Sequence, residues 1–134
     1  MRVRRSKRPS QKRRSGPAVI LVGHGSKTKG FDQAMIRVAG ELRRGSFQDV
    51  RCAYLGVQAP SISTAIRQAI QRGAKDIRVF PYFVLAGKHV KKDIPGIVFI
   101  EKQRWKRRAT IRLCDYLGYH EKIVGVVKER VQHA

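Results

Sequence analysis

The 134 residues suffice for one ordinary domain with its own core and are too few for two, and a hydrophobic content of 42% is that of a globular chain. Thirty Lys and Arg against nine Asp and Glu, a formal charge of +21, exclude an electrically indifferent surface and imply an anionic partner or substrate. No run approaches the roughly 20 apolar residues that cross a bilayer, and two cysteines without Cys-x-x-Cys spacing exclude a sulfur-built zinc or iron–sulfur site.

Residues 1–16 read as a disordered basic tail. The opening MRVRRSKRPSQKRRSGP holds eight Lys or Arg and no acid, with too few apolar residues to pack. It lacks the apolar core of a secretory signal, and Met1 and Val3 alone cannot form the apolar face of a mitochondrial transit helix. Such charge runs are commonly solvated extensions, and they can also hold nucleic acid through counterion release.

PAVILVG (17–23) is the first strand and opens directly onto GHGSKTKG. That segment is not a phosphate loop: Gly25 to Gly30 is followed by Phe31-Asp32, and Thr28 stands where GxGxxG requires glycine. Ser26 has no GxSxG setting, which argues against a serine hydrolase. In 31–44, Ala34, Met35, Val38, Ala39 and Leu42 recur at helical spacing, with Asp32 as the cap. VRCAYLGV (50–57) is the second strand. A helix over 61–72 follows, with Ile62, Ala65, Ile66, Ala69 and Ile70 on one face and Gly73 at its end.

DIRVFPYFV (76–84) is the third strand, and it too runs into a histidine, His89, set among Lys88, Lys91 and Lys92. Asp93 as cap and Pro95 in the first turn open a helix over 93–104, the cap reading of Asp93 being favoured over a catalytic role beside His89. The basic run from Lys102 to Arg112 contains Trp105, whose ring either stacks on a base or pins the helix to the sheet, the second being favoured. TIRLCDY (110–116) is the fourth strand, and the last helix, 120–132, offers Ile123, Val127 and Val131 as an apolar face. Cys52 and Cys114, both in strand-like runs, read as buried thiols in a reducing cytoplasm.

Strands alternating with helices call for an α/β three-layer sandwich around a four-stranded parallel sheet, with the continuously apolar first and third strands central. Ligands of such sheets bind beyond the carboxyl ends of the strands, where His24 and His89 both fall. Each alone has a plain reading, a loop histidine bonded to backbone and a member of a solvated basic loop. Together they suit a borderline divalent metal such as Co, Ni, Fe or Zn, and they can also accept protons near neutral pH.

ILVGHGSK, APSISTAI, PYFVLAGKHVKKDIP and LGYHEKIVGVVKERV, in this order and at these intervals, resemble the small-form CbiX-type sirohydrochlorin cobaltochelatases from about Pro17 to Val131. The resemblance implies a chelatase-like half-domain over 17–134 with flavodoxin-like winding. It implies a lyase that inserts a divalent metal, cobalt first and nickel or iron as alternatives, into sirohydrochlorin for cobalamin or related tetrapyrrole biosynthesis. It further implies a cytoplasmic homodimer holding the tetrapyrrole between facing subunits, with no organic cofactor. His24 and His89 correspond to the family's metal-handling histidines, both ligand and base, and Lys88, Lys91, Lys92 and Ser26 are the substrate-binding candidates.

One departure stands out. Relatives place a glutamate four residues before the Pro of the PSI motif, and that position is Gly56 here. Two hypotheses follow: an enzyme working through two histidines, or a chelatase scaffold turned to binding metal, tetrapyrrole or nucleic acid.

Overall fold

The computed structural model describes residues 16–134, so the basic tail expected at 1–16 lies, except for Gly16, outside the described residues. The elements in order are β1 (Ala18–Gly23), α1 (Gln33–Arg44), β2 (Asp49–Tyr54), α2 (Ile62–Gln71), β3 (Asp76–Pro81), a π-helical turn (His89–Asp93), α3 (Ile94–Trp105), β4 (Thr110–Leu113) and α4 (Glu121–Gln132). The sheet order is β2-β1-β3-β4 with every neighbouring pair parallel, so β1 and β3 are central as their apolar runs require.

Alternation along the strands divides the core in two. Ala18, Ile20, Val22, Ala53, Ile77, Val79 and Ile111 face α2 and α3, meeting Ile62, Ala65, Ile66, Ala69, Ile70, Ile94 and Val98. Val19, Leu21, Val50 and Tyr54 face α1 through Met35 and Ala39. The strands stop short of the apolar runs that announce them. Gly23, the last residue of β1, pairs with Tyr54, and Val22 pairs with Pro81; beyond these points only single bonds continue, from the Leu55 and Gly56 amides to the Gly23 and His24 carbonyls and from the Tyr82 amide to the Val22 carbonyl.

Three local expectations change. Asp32 stands at the start of α1 and Asp93 at the start of α3, yet neither side chain caps its helix. The Asp32 carboxylate is drawn to a tertiary partner and that of Asp93 to the histidine four residues before it, both described below. The third concerns α4, which forms where expected, with His120 accepting from the Lys122 amide at its start, but buries none of its residues. Ile123 is half-buried, and Val127 and Val131 are 55% and 68% exposed. Local amphipathy makes the helix; among the described residues the chain supplies nothing to cover its face.

At the end of α3, Trp105 is half-buried against the core and donates Nε1–H to Oε1 of the buried Glu101 at 3.0 Å. The ring therefore pins helix to sheet. The two thiols, both half-buried, lie toward opposite edges of the sheet, Cys52 in β2 and Cys114 just past β4. Three strand spacings, roughly 14 Å, separate those edges, beyond the reach of a disulfide. Burial pushes both thiols up from their ordinary pKa, which disfavours the reactive thiolate.

Candidate active site

β1 and β3 are adjacent and parallel, so the loops leaving their carboxyl ends start side by side. His24 is the first residue after β1, and the β3 loop is tied to β1 by the Tyr82 amide donating to the Val22 carbonyl at 2.9 Å. The loop then carries His89 back over the sheet edge. The two rings meet edge to face, with centroids 4.7 Å apart and planes at 72°. Phe83 backs His89 at 6.2 Å.

Their hydrogen bonds fix which nitrogen each ring presents. His24 Nδ1 lies 3.1 Å from the Gly25 carbonyl oxygen, and His89 Nδ1 lies 2.7 Å from Asp93 Oδ2. A carbonyl and a carboxylate only accept, so each Nδ1 carries a proton, and in the neutral ring each Nε2 then keeps its lone pair. Two neutral imidazoles with rings this close can offer two nitrogen donors to one cation. Among the described residues no cluster of three or more His, Cys, Asp or Glu side chains is placed to hold a metal ion. A structural metal site closes its coordination shell with four protein ligands. Two imidazoles leave most of the shell to water or to an incoming ligand, which suits handling an ion in transit.

The His24 loop is held by its neighbour after β2. The Leu55 amide donates to the Gly23 carbonyl (3.1 Å) and the Gly56 amide to the His24 carbonyl (3.2 Å). Gly25 is at φ +92°, and a Cβ there would collide with the Gly56 carbonyl oxygen. Only glycine allows this approach. Gln58 closes the contact, accepting from the Ser26 amide at 2.8 Å and donating to Asp32 Oδ2 at 3.3 Å. Tyr54 hydroxyl donates to the same carboxylate oxygen. This bond holds the Asp32 carboxyl below its ordinary pKa, while burial, with the Asp32 bond second, raises the Tyr54 phenol. Val57, next in this loop, is at φ +52°, a left-handed conformation unusual for a β-branched residue, and is largely exposed.

The other candidates lie around the rings. Lys91 and Lys92 are exposed on the π-helical turn and Lys88 just before it, and among the described residues none of them enters an ion pair. Ser26 is half-buried and its oxygen accepts from the Thr28 amide at 3.0 Å, so it helps to shape the loop. Gly56 faces open space: a Cβ there meets nothing within 4 Å. Sequence reasoning passed over Gln58 and the Asp32–Tyr54 bond because no local pattern joins residues from two loops. It read Asp93 as a cap, although the His89/Asp93 spacing of four was there to suggest a side-chain pair. The basic run from Lys102 to Arg112 spans the end of α3 and most of β4, and α3 starts beside the histidines and runs away from them.

Residues 18–134 match the family model described as CbiX. A sirohydrochlorin cobaltochelatase of Sulfolobus acidocaldarius is 33% identical over 116 residues, covering 87% of this chain and 90% of that one. The crystal structure of the sirohydrochlorin chelatase SirB from Bacillus subtilis subspecies spizizenii in complex with cobalt superimposes with a TM-score of 0.78. It is 29% identical and covers 87% of this chain but 50% of its own. SirB from Bacillus subtilis with Fe3+ gives a TM-score of 0.75 at 30% identity, covering 85% of this chain and 45% of its own.

Proposed function

The chain belongs to the CbiX family, and we propose that it inserts a divalent metal, cobalt first, into sirohydrochlorin at the His24–His89 pair. The observation that carries the reading is two rings with centroids 4.7 Å apart whose hydrogen bonds, among the described residues, use Nδ1 and leave Nε2 unengaged. The metal is a substrate here. The imidazoles would replace part of its water shell and hold it beside the macrocycle; as the metal passes to the ring nitrogens, the Nε2 atoms it leaves would be free to accept the pyrrolic protons it displaces. Lys88, Lys91 and Lys92, exposed and unpaired among the described residues, attract and orient the carboxylates on the rim of the tetrapyrrole. Ser26, two residues from His24, is the remaining substrate-binding candidate, its oxygen accepting from the Thr28 amide.

Purified protein is expected to accelerate cobalt or nickel incorporation, followed in the absorption spectrum of sirohydrochlorin, above the rate of metal alone. A rate equal to that control leaves a binding protein in place of an enzyme. Gly56→Glu is the informative companion. A Cβ at Gly56 meets nothing within 4 Å, so the substitution begins without a clash, and a rise in rate would identify a carboxylate as the missing group.

The working form we propose is a homodimer in the cytoplasm. The SirB structures are about twice the length that this chain matches, and a second copy would stand where their remaining halves do. The uncovered valines of α4, Val124, Val126, Val127 and Val131, with Phe99 and Ile100 of α3 and Leu85 of the histidine loop, supply apolar surface for such a contact. Val127→Asp combined with Val131→Asp is expected to convert a dimer mass in light scattering to a monomer mass and to abolish insertion. A wild-type protein that is monomeric and active at micromolar concentration would remove the dimer from the account.

A further inference from the structure

Asp93 sits where a helix cap is expected, amid Lys88, Lys91 and Lys92, and its carboxylate does neither of the ordinary things. It makes no cap bond to the α3 amides, and the ion-pairing contact it forms is to the ring of His89. At 2.7 Å this is a short, charge-assisted hydrogen bond. The backbone explains the preference. Residues 89–93 form a π-helical turn in which the Ile94 amide bonds to the His89 carbonyl, five residues back, and the wider turn sets residues four apart nearly above one another. Asp93 thus lies over His89.

The consequence falls on the other ring nitrogen. A free imidazole exchanges its proton between Nδ1 and Nε2, and only the form protonated on Nδ1 offers Nε2 to a cation. His24 is steered toward that form by the carbonyl of its neighbour Gly25, whereas His89 depends on a side chain that mutation can remove. We propose that Asp93 is the positioning carboxylate of this metal-handling pair: it holds the His89 ring in the Nδ1–H form, with Nε2 directed at the cation shared with His24. The inference rests on the reading of the two histidines as metal ligands. Carboxylates behind ligating histidines act in this way generally, and their loss costs roughly 10–100-fold in metal affinity.

The test uses the full chain labelled with 15N in its histidines and titrated with Co2+ alone, without tetrapyrrole. In wild type the His89 ring is expected to show the Nδ1–H form, and both His24 and His89 signals should respond to cobalt. In Asp93→Ala the His89 proton should redistribute to Nε2 and cobalt affinity should fall by ~10–100-fold. Asp93→Asn, whose amide oxygen still accepts from Nδ1–H, should keep the ring form and most of the affinity. A wild-type His89 protonated on Nε2, or equal affinity in wild type and Asp93→Ala, overturns the positioning role. So do equal losses in Asp93→Ala and Asp93→Asn. If neither wild-type ring responds to cobalt, the metal-ligand reading itself falls and takes this role with it, an outcome distinct from a wild type that binds and an Asp93→Ala that binds as well.

Discussion

Alanine in place of either His24 or His89 is expected to lower kcat/KM for cobalt insertion by about 10²–10⁴-fold, the usual contribution of a positioned acid–base group. Each ring contributes one of the two imidazoles at the site, and among the described residues no cluster of three or more His, Cys, Asp or Glu side chains stands ready to replace it. The effects should also be far from additive. Once one ligand is gone the remaining imidazole cannot hold the ion in place, and the double variant should be little worse than either single one. Stability is a clean control. His24 is exposed and its replacement should change unfolding free energy by no more than ~0.5 kcal/mol, while the loss of the His89–Asp93 bond should cost about 1 kcal/mol. Insertion kinetics beside a denaturant melt separate the two quantities. Either alanine variant keeping wild-type kcat/KM would show that the chemistry lies elsewhere.

The second large effect is expected at a residue without a side chain. Gly25→Ala should destabilise the protein by ~1–3 kcal/mol, the cost of a strained backbone, and reduce insertion by on the order of 10²-fold through misplacement of His24. Two causes add: the backbone is at φ +92°, and the new methyl would be driven into the Gly56 carbonyl oxygen. Because backbone stands on the far side, relief requires the β1 and β2 loops to part, and with them the bond from the Gly56 amide to His24. Gly56→Ala is the matched comparison. It adds the same methyl where nothing stands within 4 Å, and its melting temperature and KM should stay close to wild type. Equal behaviour of the two variants would show that the loops do not need this contact.

Much of the fold is legible in the residues alone. The runs AVILVG and DIRVFP name the central strands because a strand covered on both faces must be apolar throughout, and the helical spacing of Ile62, Ala65, Ile66, Ala69 and Ile70 names the face of α2 that the core receives. Gly73, at φ +100°, closes that helix as its position predicts. The helix caps are less legible. Asp32 and Asp93 have the local pattern of caps, but a carboxylate bonds to the best donor within reach, and folding brings Tyr54 and Gln58 to one and the ring of His89 to the other. The apolar face of α4 is legible as a pattern, whereas its lack of a partner among the described residues is not.

The same division runs through the candidate site. Hydrophobic periodicity and glycine placement are local properties, written into consecutive residues by the geometry of strand and helix, and they were enough to set the order of elements and to put both histidines at strand ends. That the two rings touch depends on β1 and β3 being neighbours, a choice made by packing and crossover topology over the whole sheet. Which nitrogen each ring offers depends on single hydrogen bonds effective over about 3 Å. Contacts of so short a range exist only once the chain has closed around them.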